Sequence, residues 1–211
     1  MRSKRLIHLA ALGGIVGPLI FTSALMILTL LEYDFMRSLG WDPLHAATFD
    51  WPSGLSLGRY GLLMTLTFIL GGALTSLFAF GLRGQLPIDR ASRIGTGLLS
   101  LAGLAICGLA FTTDPTLRET PATWHGRLHD LSFVLLGLTL LPGMLALGSA
   151  FRRDQGGRDL AVYTFVTVAL VLPAFWLQGA AFYVFLAGVL SWTEVVAIRL
   201  FRLTCSIEAR L

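Results

Sequence analysis

Charge is what this sequence has least of: 13% of its residues are Asp, Glu, Lys or Arg, where a soluble globular domain carries about a quarter. That excludes an ordinary soluble domain. Cysteine is nearly absent, with only Cys107, inside an apolar run, and Cys205, near the end of the sequence, so their opposing depths argue against a disulfide and they imply no redox framework. No P-loop, dinucleotide fingerprint, solenoid period or low-complexity tract is found. Gly95-Thr96-Gly97 sits inside a hydrophobic run, where a helix interior cannot wrap a phosphate, and it reads as helix packing. There is also no room for a soluble domain, since the longest connection between apolar runs is Glu32 to Arg59.

What fills the chain instead is apolar sequence, 55% of its 211 residues, with a mean hydropathy of +0.75. Such a composition belongs in a bilayer. Six runs, at 6–31, 60–82, 94–112, 128–151, 160–177 and 180–200, approach or exceed the ~20 residues that a helix needs to cross the hydrocarbon. They predict an all-α bundle of six transmembrane helices in a single integral membrane domain. The first run starts basic like a signal peptide but is too long and lacks an Ala-x-Ala-like exit before Glu32, which predicts a retained span.

The basic residues set the expected topology, because Lys and Arg collect at cytoplasmic helix ends. Arg2, Lys4, Arg5, Arg83, Arg90, Arg93, Arg152, Arg153, Arg158, Arg199, Arg202 and Arg210 fall at one end of the runs, and only Arg37, Arg59, Arg118 and Arg127 at the other. Both termini should therefore be cytoplasmic. The pI near 9.6 reads as topology and calls for no nucleic-acid partner.

Between the runs, Trp41, Pro43, Phe49, Trp51 and Pro52 suit a long external loop lying across the outer surface as a lid, with Trp124, Trp176 and Tyr183 in an aromatic belt. The link 177–180 is short enough to make the fifth and sixth spans antiparallel neighbours. Small residues at four-residue spacing, Gly13 with Gly17 and Gly72 with Ser76, predict close helix contacts. Pro18, Pro142 and Pro173 fall within spans and should bend them or loosen a carbonyl.

Titratable groups concentrate where the third and fourth runs meet: Thr112-Thr113-Asp114-Pro115, then Trp124-His125-Gly126-Arg127-Leu128-His129-Asp130. At about 100° per residue, His125 and His129 stack on one helix face with Ser132, Leu136, Thr139 and Gly143. The third span carries a matching stripe of Thr96, Ser100, Gly103, Cys107 and Ala110, with Asp114 at its outer end. Pro115 argues that this helix stops there. Asp114 is then near enough along the chain for its carboxylate to meet the imidazoles. Asp130 lies about 140° from His125 on the wheel, and an ion pair with Arg127 would lower the cost of both charges.

Three kinds of chemistry compete with a structural reading. Two His at i and i+4 can hold zinc, with Asp114, Asp50 or His45 as a third ligand and a position left for water; the Glu that follows the first His in the protease motif is missing. Haem is poorly served, because both histidines share a face and His8 lies at the far end. A proton pathway would use the intramembrane acid Glu194, on a stripe with Tyr183, Ala187 and Ser191, although a structural ion pair with nearby cytoplasmic arginines accounts for it more simply. The structural reading makes the histidines a clamp, satisfied by Asp114 and loop carbonyls, that ties the third span to the fourth. Glu32 and Asp34 read as solvated loop residues, and Arg59 as a headgroup contact.

Gly14-Ile-Val-Gly17-Pro18-Leu-Ile-Phe21, the third span ending Phe111-Thr112-Thr113-Asp114-Pro115, and Thr123-Trp124-His125-Gly126-Arg127-Leu128-His129 together resemble the prokaryotic membrane family known as domain of unknown function 998. The resemblance covers most of the chain. It implies a six-helix fold in a prokaryotic inner membrane and assigns no activity. A looser similarity, to alkaline ceramidase and adiponectin-receptor hydrolases, implies a zinc held by a His-x-x-x-His pair and an earlier Asp; here the pair falls on the fourth of six spans.

The expectation is a membrane protein with a polar pocket at the outer face, built by the third and fourth spans and roofed by the first loop. It binds a lipid, small ligand or partner subunit without catalysis. The alternative is a zinc-dependent hydrolase of a lipid-like substrate using Asp114, His125 and His129, and a small transporter ranks third.

Overall fold

The computed structural model describes residues 2–116, 121–154, 156–177 and 179–208. Arg118, Gln178, Arg210 and the side chains of Arg2, Lys4 and Trp176 lie outside the described residues. The chain is all-helical, and no strand occurs among the described residues. In order come α1 (Arg2–Leu31), the short α2 (Tyr33–Ser38), a 3-10 turn (Ser53–Leu57), α3 (Gly61–Arg83), α4 (Arg90–Gly108), α5 (Trp124–Phe151), α6 (Arg158–Leu177) and α7 (Ala181–Glu208).

Six of these helices, all but α2, are long and apolar enough to cross a membrane, which makes this a multi-pass membrane protein. Hydroxyls inside the spans bond back to their own helix: Thr67 to Leu63, Thr139 to Leu135 and Thr164 to Leu160 carbonyls, all at 2.7 Å. That satisfies them without water. Large apolar side chains such as Leu62, Leu138 and Val166 face outward, as lipid contact requires. Trp192, Phe68, Phe78, Met64 and Met144 are fully buried, and Trp192 donates its indole N–H to Thr164, 2.9 Å away, joining α7 to α6.

Each spanning helix packs on its predecessor and successor in the chain, and α7 closes against α1. The bundle is a ring. One close seam is α3 on α4, where a Cβ on Gly72 would collide with the backbone of Gly103 and Cys107, and one on Gly103 with Ser76. Ser76 donates across this seam to the Ser100 carbonyl at 3.2 Å, so the Gly72/Ser76 signal marks a contact. Gly13 and Gly17 rest on Leu74 of α3.

Two of the helix boundaries that differ from the apolar pattern shape the site. α4 ends at Gly108, because Thr112, Thr113 and the residue before Pro115 prefer extended backbone. α5 starts at Trp124 because Thr123 caps it, its hydroxyl accepting from the Gly126 N–H at 3.1 Å. At the other end Asp89 caps α4 through Ser92 N–H at 2.7 Å and pairs with Arg153 of the α5 C-terminus at 3.0 Å.

The long loop is more deeply seated than a surface lid. Trp41 and Trp51 are buried and stack with centroids 6.3 Å apart, and Trp51 donates to Thr29 of α1 at 3.0 Å and packs edge-on against Phe182 and Tyr183 of α7. Glu32 is no solvated loop residue: it is only 6% exposed and its carboxylate accepts the Tyr60 N–H at 2.8 Å, satisfying a donor at the start of α3. Asp34 is exposed. Arg59 lies over the Tyr60 ring, 5.7 Å from its centroid.

Candidate functional site

The junction between α4 and α5 is held by side chains reaching back to the segment 109–114. Asp114 accepts both the backbone N–H and the hydroxyl of Thr123, each at 2.7 Å. His125 Nδ1 lies 2.9 Å from the Thr112 carbonyl and 2.9 Å from Thr123 Oγ1. One turn on, His129 Nδ1 lies 2.8 Å from the Phe111 carbonyl and 3.1 Å from that of Leu109.

The pattern of acceptors assigns the protons. Carbonyls only accept, so His129 carries its proton on Nδ1. The single hydroxyl proton of Thr123 goes to Asp114, so His125 must also donate from Nδ1. Both Nε2 atoms stand outside these bonds. The histidines thus share the face expected of them, and they clamp α5 to the end of α4 through loop carbonyls.

Asp114 belongs to the clamp through Thr123 and makes no direct hydrogen bond with either imidazole. The hydrogen bonds from Thr123, side chain first and backbone second, with the nearby His125 adding to them, hold the Asp114 carboxyl below the usual carboxylate range. Gly126 is required beside it, since a Cβ there would strike the Asp114 carboxylate.

Asp50 joins the same end of the bundle. With a left-handed backbone, φ 54°, it turns its carboxylate to the N–H and hydroxyl of Thr116, the former at 3.0 Å, and so ties the long loop to the α4–α5 connection. Ser132 bonds back to the Leu128 carbonyl at 2.7 Å and sits against Gly108, where it serves packing. His45 is exposed and pairs at 3.2 Å with Asp42, whose carboxyl is pushed well down, first by Arg37 and then by the backbone N–H groups of His45 and Leu44.

Inside the ring lies a cavity of about 630 Å³. Its deep walls are apolar, from Phe68, Leu99, Leu136, Leu140, Phe185 and Val189, and its polar rim collects Asp50, Thr113, Asp114, Thr116, His129 and Asp130. Residues 48–53 cover the same end. The pocket is therefore built by the whole ring and penetrates it, where the stripes of polar and small residues pointed only to the third and fourth spans. His129 lines it and is 5% exposed; His125 does not line it.

Asp130 lines this cavity, contrary to its position on the helical wheel, and forms no ion pair with Arg127: among the described residues the ion pairs are Arg37–Asp42, His45–Asp42 and Arg153–Asp89. A wheel measures angle only. The rim is closed by the neighbouring loops as well as by the α5 face that bears the histidines.

Among the described residues Glu194 also lacks the expected ion pair. Arg199 is about 140° away around α7 and donates to the Gly156 carbonyl at 3.3 Å, while Glu194 faces a separate groove between α1 and α7. Among the described residues no three His, Cys, Asp or Glu side chains gather closely enough to hold a metal ion. Cys107 and Cys205 are free thiols. Thr123 and Thr116 take no role from the sequence alone, and Glu32 reads there as a solvated loop residue; a Thr three residues before Gly126, ahead of an apolar helix, is a cap signal that would have found the first.

The chain belongs to the family described as "Protein of unknown function (DUF998)", which it matches over residues 15–200. No curated protein and no solved structure matches it.

Proposed function

We propose that this DUF998 protein is a non-catalytic binding protein that holds a lipid-like amphiphile, its tail inside the helix ring and its head group at the rim. The observation that carries this reading is the graded cavity: mainly apolar over the depth of the bundle, where Thr75 and Thr193 keep their hydroxyls on carbonyls of their own helices, and richest in polar groups at the end closed by the loops. A volume of about 630 Å³ falls within the range of small-molecule sites, ~300–1,000 Å³. Among the described residues the rim offers acceptors, with Asp130 in no ion pair, and the lining contains no Lys or Arg. A head group with hydrogen-bond donors suits it.

The structural role of the rim groups is supported by where they point. Thr116, Thr123, His125 and His129 direct their donors to carboxylates and backbone carbonyls, an arrangement that rigidifies the rim. Basic residues at the end bearing the termini support a plasma-membrane orientation with both termini cytoplasmic and the rim outside. In a background free of Cys107 and Cys205, a cysteine at His45 should react with an impermeant thiol reagent added to cells and one at Asp154 should not.

The binding reading is tested by reconstitution in a bilayer containing a lipid with a photoreactive chain. Adducts at Leu136, Leu140, Phe185 or Val189, inside the ring, are expected. Adducts confined to outward residues such as Leu62, Leu138 and Val166 would overturn it.

A further inference from the structure

A second space lies outside the ring, where α1 and α7 separate. The two helices are tight toward the termini, where a Cβ on Gly14 would overlap Ala197 and His8 packs on Phe201 with centroids 4.6 Å apart. From Leu19 and Glu194 toward the loops they enclose a groove of about 640 Å³. Leu186, Leu190 and Trp51 line both this groove and the central cavity and partition them.

The groove is apolar except for Thr22, Ser23, Thr29, Ser191 and Glu194 and its aromatic mouth of Trp41, Trp51 and Tyr183. Span hydroxyls elsewhere are largely bonded to a helix carbonyl. Here the side chains of Thr22, Ser23, Ser191 and Glu194 make no hydrogen bond to another described residue, while Thr29 accepts the Trp51 indole N–H. Glu194 is thirteen residues into α7, about 20 Å along it, and so near the middle of the span. An acid at that depth with no partner is costly and marks a functional position. Among the described residues no Lys, Arg or His lines the groove.

We infer that this groove binds a compact lipophilic amine. Its ammonium sits on Glu194 with Ser191 as a second acceptor, and its apolar body runs toward Trp41, Trp51 and Tyr183. The charge complementarity decides the class: an amine supplies the counter-ion that the protein omits, whereas an alcohol leaves the acid unpaired. Aromatic rings at the mouth add favourable contacts for a cation in transit. The volume matches a small drug-sized body, and the site stands independently of what fills the central cavity.

The test uses full-length protein in phosphatidylcholine nanodiscs and two matched probes, pyrenemethylamine and pyrenemethanol, read by energy transfer from tryptophan. The amine should give saturable transfer and the alcohol only a non-saturable rise. Glu194→Gln should weaken the amine by about tenfold or more, Ala187→Trp should block the groove while leaving the acid, and Asp130→Asn, at the other cavity, should change nothing. Equal binding of both probes, or unchanged amine affinity in both Glu194→Gln and Ala187→Trp, would overturn the inference. Loss on Asp130→Asn with retention in Glu194→Gln would move the amine to the central cavity and overturn it equally.

Discussion

The Asp114 carboxylate takes two hydrogen bonds from one residue, the N–H and O–H of Thr123, each at 2.7 Å. Because Thr123 is also the N-cap of α5 and touches His125, a single side chain couples the end of α4, the start of α5 and the rim of the cavity. Thr123→Ala should lose ~1–3 kcal/mol, the combined range for a lost cap and an orphaned charged acceptor. Thr123→Ser should retain most of the stability. Thermal unfolding in detergent, monitored by tryptophan fluorescence, checks both.

Gly126→Ala attacks the same coupling sterically, since the added Cβ strikes the Asp114 carboxylate. Elsewhere in a helix Gly→Ala is favourable by up to ~1 kcal/mol. Here the sign should reverse, and the variant should melt below the wild type.

Asp114 gives the junction an acid limb. Its carboxyl is depressed in the folded protein by the Thr123 bonds and His125, so its contribution is fully present above the unfolded value, about 4, and is lost as pH falls through the lower folded value. A pH series should show wild type losing stability below pH ~4, with Asp114→Asn less stable at neutral pH and flatter over the acidic range.

Removing the imidazoles should have unequal effects. His129, 5% exposed, leaves two carbonyls without a donor, whereas half-buried His125 leaves the Thr112 carbonyl nearer solvent. His129→Ala should cost ~1–3 kcal/mol and more than His125→Ala, as read by the midpoint of thermal unfolding.

Chelation separates the clamp from the zinc hydrolase alternative. With Nδ1 of both histidines on carbonyls and Asp114 on Thr123, prolonged treatment with a strong chelator should leave the unfolding temperature unchanged. A fall reversed by zinc, together with near-stoichiometric metal lost in His125→Ala and His129→Ala, would establish the hydrolase reading instead.

The sequence disclosed the six spans and the neighbourhood of the site, because hydropathy and a stack of two histidines are local signals. It disclosed less about partners. Asp114 and His125 meet through Thr123, a residue whose role depends on where α5 begins, and that boundary is set by a cap rather than by apolar periodicity. Asp130 reached the cavity, and Glu32 the start of α3, through loops whose paths no wheel describes. The closure of α7 on α1, which creates both the central cavity and the groove at Glu194, is a long-range contact with no signature in either helix alone.

The central claim is that the ring encloses an amphiphile, and native mass spectrometry of protein released from nanodiscs measures that directly. The account predicts about one bound lipid-like molecule per chain, surviving release in wild type and in the outward control Leu138→Trp, and lost in Leu136→Trp, whose indole fills the cavity. A folded wild-type protein that emerges with no bound molecule, or one that Leu136→Trp retains unchanged, would contradict it.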